Sequence, residues 1–157
     1  MGLHIARSSG EISRPAWLPG PERERAHIST TGGLIVRHMD TGDALVAVRP
    51  FQAGEPIFAF SHVSWRPARD GNTVEDPRGR HVYDPLLTRV AHSCAPNCRP
   101  SFELMALIAR RDIAAGEILT FDYLSTESAI FEPFDCGCGA PDCRGRIERV
   151  NPVRHSA

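Results

Sequence analysis

The chain contains no lysine: all 18 basic residues are arginine, set against 19 carboxylates for a formal charge of −1. It therefore offers no side-chain ammonium of its own for modification. It also lacks the basic excess with which proteins neutralise nucleic-acid phosphates, so no direct nucleic-acid binding is expected. Long apolar runs are missing. The longest obvious one, Leu104–Ala109, is far short of the ~20 residues a membrane helix needs, and no membrane association is expected. Met1 to Gly20 holds no hydrophobic segment of the ~7–15 residues used by a signal peptide, which points away from export and to a reducing cytoplasm. No stretch sustains a helical period; Asp84–Val90 could supply two turns at most. What is present, 157 residues with 41% hydrophobic and 24% charged, suits one compact domain with a core.

Residues 1–30 are rich in proline, glycine and charge, including Pro15, Pro19, Gly20, Pro21 and the run Glu22 to Arg25, and read as an extended N-terminal arm. Order is expected to begin near Thr31. Short β-like runs follow at Leu34–Arg37, Ala44–Arg49, Pro56–Phe60 and Phe102–Ala109, each bounded by Gly, Pro or Asp. Residues 61–85 carry many loop formers (Pro67, Asp70, Gly71, Asn72, Pro77, Gly79) and are expected to form an irregular insert. One internal similarity stands out. ALVAVRPFQAGE (Ala44–Glu55) and ALIARRDIAAGE (Ala106–Glu117) agree at seven of twelve positions, 62 residues apart. Each reads as a strand, a tight turn closing on Gly-Glu, and a second strand (Ile57–Phe60 and Ile118–Phe121). Two similar hairpins holding Asp84–Pro100 between them are expected, in a mainly β fold.

Five cysteines stand at 94, 98, 136, 138 and 143. Cys136-Gly-Cys138-Gly-Ala-Pro-Asp-Cys143 places three thiols close together, with glycines that permit sharp turns. Three thiolates at this spacing suit a tetrahedral zinc, whose fourth ligand would be Cys94 or Cys98. Disulfides compete with zinc for these residues. The odd count, the reducing compartment and the poor bridging geometry of a C-x-C pair all favour the metal. A metal closed by four thiolates orders the chain rather than doing chemistry.

Three linked motifs carry a family resemblance: Ala91-His92-Ser93-Cys94-Ala95-Pro96-Asn97, then Gly116-Glu117-Ile118-Leu119-Thr120-Phe121-Asp122-Tyr123, then the cysteine group ending Cys143-Arg144-Gly145. In this order and spacing they resemble the SET-domain protein-lysine methyltransferases with a post-SET zinc-binding tail, over about residues 32–148. The resemblance implies short curved sheets with a pseudoknot, divided into an arm (1–30), a SET domain (31–130), a post-SET zinc segment (131–150) and a tail (151–157). It implies S-adenosylmethionine in one pocket and, from the opposite face, a narrow channel for the lysine of a protein substrate. Position by position, Tyr123 resembles the active-site tyrosine. Its phenol would orient the amine, and a neighbouring sulfonium favours the ionised form. Phe121 matches a position that varies between Phe and Tyr in the family, where Phe leaves room for more than one methyl. Gly42, Asp43 and Ala44 match the glycine motif, and Ala91 and His92 the adenine-contacting segment; with Tyr123 they form the expected cofactor site. Cys94 resembles the fourth zinc ligand beside Cys136, Cys138 and Cys143, which leaves Cys98 as a small buried or reactive thiol.

Blander roles are open to the same residues. Tyr123 by itself could be a buried tyrosine with a satisfied hydroxyl. His92 and Cys94 could form a thiol–imidazole pair of the hydrolase kind, though zinc would remove its thiolate. Asp112 to Cys143 contains seven carboxylates (Asp112, Glu117, Asp122, Glu127, Glu132, Asp135, Asp142) and no basic residue, which reads either as a surface that attracts a cationic segment or as a solvated acidic edge. Four positions depart from the family: Ala91 for Asn, Ala44 for the second glycine, Thr88 for Arg, and Phe60 for the channel tyrosine, whose hydroxyl Tyr83 could replace. Together they motivate an alternative, a SET-like protein that binds S-adenosylmethionine or a small molecule with lost or altered catalysis. A third reading is a zinc-stabilised interaction module. Substrate recognition is expected through residues 61–85 or through a partner in a homodimer.

Overall fold

The computed structural model of the chain describes residues 25–30 and 32–148. The expected arm before Arg25, the expected start of order at Thr31 and the tail 151–157 lie outside the described residues. Arg25–Thr30 is a strand (β1), not the end of an arm. It pairs antiparallel with β2 (Leu34–Met39), which pairs with β3 (Gly42–Ala47). Between β1 and β2, Gly32 and Gly33 both have positive φ (90° and 87°), the backbone a tight reversal requires.

The insert is also more regular than its composition suggests. Residues 61–85 contain β5 (Ser64–Arg66), β6 (Val74–Glu75) and β7 (His81–Tyr83), in the spatial order β5-β7-β6. Buried carboxylates do the work of a long hydrophobic run here. Asp76 accepts from the amides of Arg78 and Arg80, and Asp84 accepts from those of Leu86 and Leu87. The second pair starts the 3-10 turn Leu87–Arg89.

The sheet that follows is antiparallel, with β4 (Pro56–Ala59) and β9 (Cys98–Ser101) flanking β10 (Ala106–Ala109). The expected strand over Phe102–Ala109 is shortened because residues 102–105 turn: Leu104 N–H donates to Ser101 Oγ at 3.2 Å, and Met105 takes φ 48°.

The repeated segments are not hairpins. Eight residues separate Ala47 from Pro56, more than the ~2–5 of a hairpin loop, and the ladder bonds are exchanged between repeats. Ala47 N–H donates to Glu117 O (2.9 Å), as Ala109 N–H does to Glu55 O (3.0 Å). Gly116 N–H reaches Ala47 O and Gly54 N–H reaches Ala109 O (2.7 and 2.8 Å), while Phe51 and Ile113 exchange both bonds at 2.9 Å. Side chains repeat the pattern, with Arg49 on Glu55 (2.8 Å) and Arg111 on Glu117 (2.7 Å). The seven identities therefore encode a local two-fold crossing.

That crossing positions the motifs. Leu119 N–H donates to Leu45 O (2.8 Å) and its carbonyl accepts from Ala91 N–H (3.1 Å). Thr120–Phe121 (β11) thus runs parallel to Ala91–His92 (β8), the pseudoknot crossing. Asn97 pins it. Its Oδ1 accepts from Thr120 N–H (2.8 Å) and its Nδ2 donates to Ile118 O (2.9 Å). Phe51, Leu45, Leu107, Ile113, Leu119 and Phe121 fill the core beneath.

Candidate active site and metal centre

All six residues expected at the cofactor site (Gly42, Asp43, Ala44, Ala91, His92 and Tyr123) line one cavity of about 360 Å³, within the ~300–1,000 Å³ usual for small-molecule sites. The β2–β3 turn supplies one wall, β8 a second, and Phe134 to Cys138 a third. Ala44 is buried, so its Cβ occupies space that a glycine would leave open. Thr88 also lines this cavity. Beside it, Arg89 reaches across to Asp43 (3.1 Å), which also binds His38 (2.5 Å). Burial opposes ionisation of the Asp43 carboxyl, but its hydrogen bonds with His38 and Arg89 outweigh that and hold it below its usual range. Arg89 and Phe134 carry little signal in the sequence. Arg89 sits one position past the expected arginine, and Phe134 is marked only by standing two residues before the first tail cysteine.

Tyr123 begins the 3-10 turn Tyr123–Ser125, which Asp122 caps by accepting Leu124 N–H (3.1 Å). Its hydroxyl donates to Val90 O at 2.9 Å, while its ring meets Phe121 at 4.8 Å and His92 at 5.1 Å between centroids. Burial, with the nearby Glu127 charge, pushes the phenol well above its ordinary value, so without a cation beside it Tyr123 is neutral. Tyr123 also lines two further cavities: a small one of about 60 Å³ with Phe121, Val90 and Glu127, and an open basin of about 340 Å³ with Arg69, Thr73 and Glu127. Tyr123 thus borders the motif-lined cavity and both further spaces.

Phe60 packs between Phe58 and Phe102 (6.0 and 5.9 Å) in the core, and Tyr83 lies under the Arg66 guanidinium (4.9 Å) on the β5–β7 sheet. Tyr83 is not among the residues lining the three cavities that Tyr123 borders.

Cys94, Cys136, Cys138 and Cys143 converge, with all four Sγ atoms within 4.8 Å of one another. Zinc–sulfur bonds of about 2.3 Å put tetrahedral sulfurs roughly 3.8 Å apart, and Cys94 and Cys136 are 3.9 Å apart. A disulfide needs about 2.05 Å; the donor set fits zinc. Cys98 stands away on β9, buried, with its thiol donating to Asn97 Oδ1 (3.2 Å) and desolvation pushing it up to about 12. At the cluster, burial opposes ionisation of Cys138, but the backbone groups of Ala140 and Cys94 and the thiols of Cys136 and Cys143 outweigh it and bring it down to about 6. Backbone donors surround the sulfurs: Arg144 N–H on Cys94 and Gly145 N–H on Cys143, both 3.5 Å. The tail closes through β12 (Phe134–Asp135) paired with β13 (Arg146–Ile147), and Arg144 clamps Asp122 with two bonds (3.1 and 2.9 Å).

His92 links metal centre and cavity. Tyr123 N–H donates to Nδ1 (3.2 Å), which leaves the proton on Nε2, 3.6 Å from Cys94 Sγ. Desolvation above all lowers the pKa of this imidazole from its ordinary value, against the Asp122 charge and with a smaller push from Arg144. The thiol–imidazole contact exists, but its sulfur belongs to the four-thiol cluster. The acidic run is likewise not a uniform charged surface: Glu117, Asp122, Glu127 and Asp135 pair with Arg111, Arg144, Arg69 and Arg146.

Comparison with known proteins agrees with this arrangement. Residues 68–124 match the SET domain family. The H3 lysine-4-specific histone-lysine N-methyltransferase of Schizosaccharomyces pombe is 44% identical over 64 residues, covering 37% of this chain and 7% of the relative. Histone-lysine N-methyltransferase ATX2 of Arabidopsis thaliana is 40% identical over 146 residues, covering 74% and 13% respectively. The chain thus spans only a small part of the curated relatives it matches. KRYPTONITE, in a crystal structure with mCHH DNA, an H3(1-15) peptide and SAH, superposes with TM-score 0.55 at 23% identity, over 72% of this chain and 29% of that one. Its motifs, the parallel β8–β11 crossing, its thiol cluster and these matches agree on a SET domain match over residues 68–124.

Proposed function

We propose that this chain is an S-adenosylmethionine-dependent methyltransferase that acts on a lysine amine of a protein substrate, with its SET domain over residues 31–130 and a post-SET zinc segment over 131–150. The observation that carries this is the place of Tyr123, one ring bordering both the 360 Å³ cavity of motif residues and the 60 and 340 Å³ spaces beyond it. Gly42 to Ala44, Ala91, His92 and the Phe134–Cys138 wall would hold S-adenosylmethionine, which would supply a methyl on positively charged sulfur for in-line displacement by a neutral amine, with S-adenosylhomocysteine as the leaving group.

The chain's own residues set the geometry. The Tyr123 hydroxyl donates its proton to Val90 O, so its oxygen faces the site as an acceptor, able to take an amine N–H and aim the nitrogen lone pair. Phe121, beside it, offers no hydroxyl to hold water. Cys94, Cys136, Cys138 and Cys143 would hold zinc as a closed structural ion, and the walls formed by Cys136 and Cys138 make it a brace for the cofactor side. Tyr123→Phe removes the acceptor oxygen while leaving the ring. Transfer of labelled methyl to a histone H3 peptide or to lysate proteins is expected to fall by about 10²-fold or more, with S-adenosylhomocysteine affinity within a few-fold of the parent. Because the chain has no lysine, its own side-chain amines contribute no background label. Unchanged transfer by Tyr123→Phe overturns the mechanism.

One alternative has a specific basis: Ala44 and Ala91 line the cavity where the family places glycine and asparagine. Cofactor binding without methyl transfer to any protein would favour a SET-like binding role, and zinc without cofactor binding would favour an interaction module.

A further inference from the structure

Glu127 is a buried carboxyl that the chemistry above leaves unused. It stands four residues past Tyr123, and the 3-10 turn brings it back so that its N–H donates to Tyr123 O at 2.9 Å. It is 7% exposed. The 60 Å³ cavity and the 340 Å³ basin share Gly71, Thr73, Tyr123 and Glu127, and only the last two of these have titratable side chains. The carboxyl is held in place: Oε1 accepts from Glu75 N–H (2.9 Å) and Thr126 Oγ1 (3.1 Å), and Oε2 lies 3.6 Å from Arg69 Nε. Arg69 also binds Glu75 (2.5 Å) and Ser128 (2.8 Å). The remaining charged groups lining the basin are Asp70 and Glu132.

The rest of the small cavity is largely apolar, with Val74, Leu87, Val90 and Phe121 on its walls. An alkyl wall that ends in one carboxyl beside one phenol matches a particular chemistry, a primary ammonium on an unbranched chain. We propose that Glu127 receives the substrate ammonium beside Tyr123, at the residues that the small cavity and the basin share, and thereby selects a cationic amine over a neutral group of the same size. This rests on reading the site as a lysine methyltransferase centre. Glu127 acts as a specificity-determining residue for the protonated amine, and its pairing ends when the ammonium releases its proton to water in the open basin, before the neutral amine takes the methyl. Burial above all, with the Glu75 charge, lifts the Glu127 carboxyl above its ordinary value, the electrostatic situation that a bound cation relieves.

The test uses the full chain, with and without S-adenosylhomocysteine, titrated by NMR with n-butylammonium and with its neutral counterpart n-butanol. The parent is expected to prefer the ammonium by about 10-fold, with shifts at Thr73 and Tyr123. Glu127→Gln, which keeps the acceptor for Glu75 N–H, should erase that preference, and Glu132→Gln should leave it intact. Should Glu127→Gln unfold, Glu127→Asp carries the test: a preference weakened several-fold supports the assignment and an unchanged one overturns it. No ammonium binding by the parent, or an equal preference in Glu127→Gln, overturns it outright. Absence of S-adenosylhomocysteine binding would fall on the methyltransferase reading instead, because the amine titration is run without it too.

Discussion

The two sides of Tyr123 are built by different means. Toward the 360 Å³ cavity the walls are main chain at a turn, a two-residue strand and a cysteine-rich loop, drawn together by the pseudoknot crossing and the thiol cluster. Toward the 340 Å³ basin the lining includes the charged pair Arg69 and Glu127, which is backed by Glu75 and Ser128. The cofactor side depends on backbone placement, so sulfur ligation and ladder bonds set its shape. The basin side depends on charged side chains, so protonation and ion pairing set its character. Changes to one side should leave the other standing.

The largest separation comes from the metal centre. Cys138→Ser removes one of four ligands and frees a segment whose residues form a wall of the cofactor cavity, so loss of structural zinc should carry most of the cofactor affinity with it. S-adenosylhomocysteine binding is expected to fall by about 10–100-fold, the usual range for disturbed metal sites. Elemental analysis should report about one zinc per parent chain and less in the variant. Hydrogen exchange should rise across 134–147 and stay unchanged at the Glu75–Ser128 contacts. A metal-free tail with parental protection would contradict the brace.

Phe121→Tyr tests the boundary itself. The ring is fully buried and borders the 60 Å³ cavity, so an added hydroxyl enters space that a methylated amine would use. Mass spectrometry of products is expected to shift toward a single methyl, with cofactor affinity unchanged. A product distribution identical to the parent's would place Phe121 outside the acceptor path.

The same contrast governs how much of the molecule is legible in its residues. Cysteine spacing, the Gly-Glu turns and the motifs around 91–92 and 120–121 are local patterns whose chemistry has few alternatives, and the residues they name do meet. The reciprocal crossing of 44–55 and 106–117 reads in sequence as two hairpins, because identity shows that segments fold alike and not which strand each one pairs with. The β5-β7-β6 sheet has no such signature, since its strands are two or three residues long and are held by Asp76 and Asp84, side chains that read as loop formers. Glu127 looks like one more member of an acidic run. Its partner Arg69 is 58 residues earlier in sequence, a distance at which charge pairing leaves no periodic trace.

A smaller effect is expected at Ala91, the alanine that stands where the family places asparagine. Its N–H is committed to Leu119 O, so its side chain, which lines the cofactor cavity, can be lengthened without breaking the crossing. Ala91→Asn adds one polar contact worth ~1 kcal/mol, and calorimetry should find S-adenosylhomocysteine bound about 5–10-fold more tightly. Weaker binding would mean that the space beside β8 is filled.

The mildest test acts on the basin side through acid. Burial raises Glu75, but hydrogen bonds from the Ser128 hydroxyl and amide and the Arg69 contact outweigh it and leave the carboxyl below its ordinary 4.5. Asp76 is held below 3.8 in the same way by Arg80 and the Arg80 and Arg78 amides. For both, the unfolded chain binds protons first, so the stability they contribute is complete above about pH 4.5 and is lost as pH falls through their folded values. Glu127 has the opposite sign. Its raised folded value means that acidification removes a buried charge and returns stability over the range just above 4.5. Urea unfolding between pH 6 and 3 should therefore show a shallower acid loss in Glu75→Gln and a steeper one in Glu127→Gln. Because neither Glu75 nor Glu127 lines the 360 Å³ cavity, the two substitutions should leave S-adenosylhomocysteine affinity in the folded fraction at the parent's value at each pH, and a parallel loss would show that the two sides of Tyr123 are coupled after all.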